Sequence, residues 1–105
     1  MSDEVKLSHT SALILQIIGS GHSYGFDIME ATGLPSGTVY PALRRLEHLG
    51  LIQSKWEKQT KAVAGQRPPR KYYKLTGFGE QTLARAVQRY PLLQHMALED
   101  KPRRS

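Results

Sequence analysis

"SGTVYPALRRLEHLGLIQSKWE", residues 36–57, decides the fold, because its hydrophobic period changes partway along. Val39, Leu43 and Leu46 recur at i, i+4 and i+7, the spacing of one face of an α-helix. Ser36 is the expected N-cap, and Gly50 stands where a helix C-terminus places a left-handed residue. Beyond it, "LIQSKWE" (51–57) alternates imperfectly, with Ile52, Ser54 and Trp56 on one side, as in a strand. A helix to about Leu49 and a short strand are therefore expected.

Working upstream, "YGFDIMEAT" (24–32) reads as a short helix with Phe26, Ile28 and Met29 inward, stopped by Gly33. "GLPSG" (33–37) is a tight connector, and two helices joined by a short Gly-containing turn form a helix-turn-helix. Many helical corners share that spacing. An earlier helix begins after Ser8 or Thr10, either of which can cap it. Ala12, Leu13, Ile14, Leu15, Ile17 and Ile18 make it apolar on most sides, which places it at the centre of the core. "GSGHS" (19–23) ends it.

Downstream, "RKYYKL" (70–75) is a second strand carried by Tyr72 and Tyr73. Between the strands, "KQTKAVAGQRPP" (58–69) is expected as a long hairpin loop, since proline cannot serve a central ladder. Thr76 is the expected N-cap of a last helix, "GFGEQTLARAVQRY" (77–90), whose apolar stripe is Leu83, Val87 and Tyr90. Pro91 breaks it, and "PLLQHMAL" (91–98) restarts with proline at its first position. The order helix, helix, helix, hairpin, helix is an α+β, mainly α, winged helix-turn-helix of three helices and a two-stranded wing. The expected division is 1–75 for that DNA-binding domain, 76–98 for a C-terminal dimerisation helix broken at Pro91, and 99–105 for a disordered tail.

Composition narrows the function. The chain has 105 residues, a net charge of +6 and no cysteine, which removes disulfides, thiolate metal sites and thiol redox chemistry. Its longest apolar run, "ALILQII" (12–18), falls far short of the roughly 18 residues that span a bilayer. The acidic opening "SDE" is unlike a secretory signal. A cytoplasmic protein is expected. From Lys55 to Lys74, seven basic residues face the single acid Glu57, and the rest of the chain is neutral. The whole net charge thus sits in one window, which favours a polyanionic partner over an ordinary solvated face.

With these segments in order, "YGFDIMEATGLPSGTVYPALRRLEHLGLIQSKWE" (24–57) followed by "GQRPPRKYYKLTGFGEQTL" (65–83) closely resembles the PadR family of winged-helix transcriptional regulators. The resemblance spans roughly residues 11 to 84. It implies a homodimer that binds double-stranded operator DNA and usually represses transcription. It also implies a response to small aromatic or lipophilic effectors. The brief C-terminal part resembles the shorter subgroup with one dimerisation helix. Pro91 departs from that pattern, and so does the wing, where "AVAGQRPPRK" (62–71) is longer and richer in proline than the compact turn expected.

On a helical wheel with Val39, Leu43 and Leu46 inward, Gly37, Pro41, Arg44 and His48 lie within about 40° of the opposite pole. Thr38, Tyr40 and Arg45 flank them, which makes this face a major-groove reader. Ser36, Thr38 and Tyr40 offer hydroxyls to phosphates or bases, and the helix start offers free N–H groups. The Gly37/Pro41 surface lets the helix approach closely, or Pro41 only shapes the helix start. Arg44 either grips guanine or clamps a phosphate. Glu47 is a partner for Arg44 or for a wing lysine. In the wing, Lys61, Arg67, Arg70 and Lys71 are expected on the DNA backbone or in the minor groove.

Leu83, Val87, Tyr90 and Leu93 read as a dimer seam, the alternative being cover for the chain's own core. Trp56 either packs from strand to core or lines an effector pocket. His9, His22, His48 and His95 are scattered without metal-ligand spacing. "GSGHSYG" (19–25) follows a helix rather than a strand, so neither an enzyme site nor a phosphate loop is indicated, and no cofactor is expected. The competing class is a winged helix used on proteins or RNA. Exposed aromatics would favour RNA.

Overall fold

The computed structural model of the chain describes residues 6–58, 60 and 64–90. Its elements are α1 (His9–Gly19), α2 (Gly25–Thr32), α3 (Ser36–His48), β1 (Ile52–Trp56), β2 (Lys71–Leu75) and α4 (Gly77–Arg89). This is the mainly helical α+β order expected. Among the described residues, no helix is long and apolar enough to cross a membrane.

Helix α1 is the hub, packed against α2, α3, α4 and β2. Of the two possible caps, Ser8 serves, its hydroxyl accepting the Ser11 N–H at 3.1 Å. Ala12, Ile14, Leu15, Ile17 and Ile18 are all buried, so α1 has almost no wet face. Ile28, Val39, Leu43, Leu46, Leu51 and Ile52 close round it. Because α1 alone presents apolar surface on most sides, the other elements each need only one apolar face.

Strands β1 and β2 pair antiparallel, Ile52 opposite Leu75 and Trp56 opposite Lys71. The other edge of β2 is also used. The Tyr73 N–H donates to the Ser23 carbonyl at 2.7 Å, and Tyr24 bridges Tyr72. The turn before α2 therefore acts as a third, one-residue strand that pins the wing to the helices.

Thr76 is the joint between wing and α4. Its hydroxyl accepts the Gly79 N–H at 2.9 Å, as a cap does, and donates to the Gly50 carbonyl at 2.6 Å. Gly79 then lies so close to the Leu51 carbonyl that a Cβ would overlap it. At the far end Tyr90 leaves the helix (φ −112°, ψ 105°), as a residue preceding proline is driven to do.

Four local expectations change. Pro35, not Ser36, occupies the N-cap of α3, and its carbonyl accepts the Thr38 and Val39 N–H groups. Ser36 becomes the first helical residue. Phe26 points outward, because the α2 face turned to the core is filled by Ile28 with Met29 beside it. Trp56 does not pack into the core. The strand carries Ile52 inward and then departs, leaving Trp56 63% exposed. The inter-strand connection is not all loop, since Thr60 and Ala64 are helical.

Candidate nucleic-acid interface

Helix α3 presents its face as the wheel requires. Val39, Leu43 and Leu46 are buried, whereas Ser36, Gly37, Tyr40, Pro41, Arg44, Arg45 and His48 are exposed and Thr38 is half-buried. Pro41 neither ends nor breaks the helix. Its ring would meet the carbonyl of Gly37 one turn back, where no other part of the fold crowds Gly37. The Ser36 and Gly37 N–H groups precede the first closed turn and open the helix toward solvent. Arg44 and Arg45 enter no ion pair among the described residues.

Tyr40 is held by its neighbour. Its ring sits over Gly25, where a Cβ would lie 2.6 Å from Cε1 and Cζ. A glycine at the start of α2 is thus required for Tyr40 to lean across it.

Glu47 settles the question of its partner in favour of the wing. Its carboxylate accepts the Ser54 hydroxyl at 2.6 Å and lies 3.9 Å from Lys71 Nζ. One side chain of α3 therefore touches both strands, which fixes the spacing between helix and wing.

In the wing, Arg67 is bidentate to Glu57, at 2.5 and 2.8 Å. Glu57 also accepts the Arg70 N–H and the Tyr72 hydroxyl, each at 3.3 Å. The Arg67 hydrogen bonds, then the Arg70 N–H and Tyr72, outweigh desolvation and pull the Glu57 carboxyl from 4.5 to about 2. The same pairing holds Arg67 still more firmly protonated. The Arg70 guanidinium lies 4.3 Å over the Tyr24 ring, which meets Tyr72 edge-on. Tyr73 is buried, and that burial pushes its phenol upward. Lys61 lies outside the described residues.

Between α3 and the wing root runs a groove of about 370 Å³, walled by Tyr24, Tyr40, Trp56, Tyr73, Arg70 and Lys71. Sequence reading left Trp56 between the core and a pocket, and did not name Tyr24 here. The only available signal was the aromatic type at a helix-preceding turn, with nothing to say which strand it would meet.

The expected dimer stripe is half-engaged. Leu83, Val87 and Tyr90 pack against the core while staying partly exposed. The Tyr90 hydroxyl donates to the Leu7 carbonyl at 2.8 Å, and its ring meets His9 edge-on. Leu75, Leu83 and Val87 also line an open trough of about 600 Å³ between α1 and α4. Leu93 lies outside the described residues.

A family model described as "Transcriptional regulator PadR-like family" matches residues 14–85. Among solved structures, a PadR-like transcription factor from Bacteroides fragilis is 31% identical, with 85% of this chain and 86% of that one covered and a TM-score of 0.66. A PadR family transcription regulator from hypervirulent Clostridium difficile is 27% identical, covering 88% and 97%, with a TM-score of 0.70. A Streptococcus mutans protein is likewise 27% identical, covering 100% and 97%, with a TM-score of 0.69. No curated protein matches the chain significantly.

Proposed function

Since the chain belongs to the PadR-like family of transcriptional regulators, and is a DNA-binding regulator rather than an enzyme, we propose that it is a cytoplasmic, homodimeric repressor of operator DNA that responds to a small aromatic or lipophilic effector. The observation that carries the reading is the outer face of α3, where Arg44 and Arg45 stand exposed and without an ion pair among the described residues. That face lies beside a wing whose spacing Glu47 fixes.

Ser36, Gly37, Thr38, Tyr40 and Pro41 form the leading edge of α3, with hydroxyls and free N–H groups suited to phosphates. Arg44 supplies base reading or a phosphate clamp, and Arg45 adds charge at its flank. Arg70 and Lys71 extend the cationic surface across the wing root, and Arg67 contributes chiefly by holding the hairpin's shape. Lys61 would add a further phosphate contact. The partly exposed Leu83 and Val87, beside the trough between α1 and α4, support a dimer seam, with Tyr90 and Leu93 continuing it.

The test is a gel shift on the DNA upstream of its own gene, with competing RNA and a salt titration. Duplex should win, with a steep salt dependence of about −0.9 per phosphate neutralised. Affinity that ignores salt, or RNA that competes equally, overturns the DNA reading. Light scattering at micromolar concentration should give a dimer mass, and a persistent monomer would remove that part.

A further inference from the structure

We propose that the outer edge of β1, with the wing face turned away from α3, is a docking strip for an extended, acidic segment of a second protein, which adds to the sheet as a further strand. The strip uses none of the residues assigned to DNA and stands whether or not the chain binds an operator.

The two edges of the sheet differ. On β2 the outer edge is closed, the Tyr73 N–H donating to the Ser23 carbonyl. On β1 it is open. The Glu57 N–H donates to the Arg70 carbonyl at 2.7 Å and the Thr76 N–H to the Leu51 carbonyl at 3.0 Å. The odd-numbered residues of β1 are therefore those bonded to β2. Ser54 and Trp56 turn their N–H and C=O groups the other way, where none meets a backbone partner among the described residues. Such a row is a template for another strand.

The side chains along that edge say what the strand carries. Gln53, Lys55, Tyr72 and Lys74 share the face turned from α3, while Ser54, on the opposite face, is bonded to Glu47. Gln53, Lys55 and Lys74 are exposed, and neither lysine enters an ion pair among the described residues. A hollow of about 530 Å³ spreads over this face with no carboxylate in its lining. Glu57, which falls on the same side of β1, has its side chain 4% exposed and engaged by Arg67. A residue opposite Lys55 on an added strand lies on this face, close enough for a carboxylate to meet the ammonium. The next residue falls on the other face, beside Trp56, which is 63% exposed. The fitting sequence thus alternates acidic and apolar residues.

Two other occupants fit worse. A second copy pairing through the same edge would oppose lysine-bearing faces, and lysine on an edge strand is a usual bar to such self-pairing. A phosphate backbone could take the lysines but has no donor for the outward carbonyls of Ser54 and Trp56. An extended peptide supplies donors and acceptors in alternation.

The probe is a fluorescein-labelled peptide in which three glutamates alternate with valines, titrated into the full chain. A block peptide of the same composition, glutamates first, controls for charge alone. The alternating peptide should bind saturably below about 1 mM, at least about tenfold tighter than the block peptide. In the ¹⁵N-labelled chain, the Ser54 and Trp56 amides should gain at least about tenfold protection from hydrogen exchange. The Gln53 and Lys55 amides, already bonded to β2, should not. Lys55→Glu should weaken the peptide by about tenfold or more and admit instead a peptide with lysines in place of the glutamates.

Absence of saturable binding, equal binding of the block peptide, or unchanged exchange at Ser54 and Trp56 overturns the docking strip. So does unchanged affinity in Lys55→Glu, or its failure to admit the lysine peptide. Self-association that protects the same two amides without peptide gives the edge to a second copy, and duplex DNA that protects them gives it to nucleic acid. Either result also overturns the proposal.

Discussion

The outer face of α3 and the wing hairpin carry the same kinds of side chain and put them to different uses. On α3, Arg44 and Arg45 extend with no ion pair among the described residues. On the hairpin, Arg67 is gripped by Glu57, Arg70 lies on Tyr24, and Lys71 approaches Glu47. The backbone explains the contrast. A helix closes its own hydrogen bonds and leaves its outer side chains free, whereas a long connection must be ordered by something. Here the wing's cations do part of that ordering. A run of charge in a sequence therefore counts cations without saying how many are available to a partner.

The sharpest way to break this contrast is to remove one arginine from each region. Arg44→Ala should leave the melting temperature unchanged and weaken operator binding by about 1–3 kcal/mol, roughly five- to 150-fold, if it reads a base. Arg67→Ala should lower the melting temperature and perturb Tyr72, with its DNA effect following from a loosened hairpin. If Arg67→Ala melts as wild type and costs DNA binding as much as Arg44→Ala, the clamp is not what Arg67 is for.

Next in size is Gly25→Ala, which attacks the α3 side through its support. The new methyl would meet the Tyr40 ring and force it off α2. Overpacking of this kind costs about 1–3 kcal/mol, visible as a lower melting temperature. Gly25→Ala combined with Tyr40→Ala should recover much of that loss. Failure of the double variant to recover would mean that Tyr40 is not the obstacle.

How much of this could be read beforehand follows from range. The helices, both strands and the Thr76 cap are written in local periods and punctuation: Val39/Leu43/Leu46, Gly33, Gly50 and the paired tyrosines. The outward face of α3 followed from that same period. The Glu57–Arg67 pair, the seat of Arg70 on Tyr24 and the bridge from Glu47 to both strands depend on hairpin register and on the turn before α2. No local rule fixes either. Trp56 and Phe26 were expected inward because large apolar residues prefer burial, but α1 already fills the small interior. Pro35 took the cap from Ser36 because its carbonyl and extended backbone suffice to start the helix without a side-chain bond.

Acid separates the two regions next. The Glu57 carboxyl is depressed from 4.5 to about 2, so its contribution to the hairpin is fully present above 4.5 and fades as pH falls toward 2. Lowering the pH through that window should disturb the Tyr72 and Trp56 signals before the α3 amides move. In Glu57→Gln the acid-induced change should largely vanish. Loss of α3 and wing together in one step, unchanged by Glu57→Gln, would show that the hairpin is not separately clamped.

The smallest expected effect concerns how the chain enters that clamp. Gln66, just before Arg67, has a left-handed backbone (φ 56°), a conformation that costs an ordinary residue about 1–2 kcal/mol and glycine almost nothing. Gln66→Gly removes that strain but adds unfolded-chain entropy worth about 0.5–1 kcal/mol. The net should lie between zero and a stabilisation of about 1.5 kcal/mol, a rise of at most about ten degrees in melting temperature. Since Gln66 only steers Arg67 toward Glu57, the variant should keep the acid transition of the wing where it was. A marked loss of stability would mean that the Gln66 side chain, not its backbone, holds the hairpin, and the turn would then belong among the contacts that order the wing.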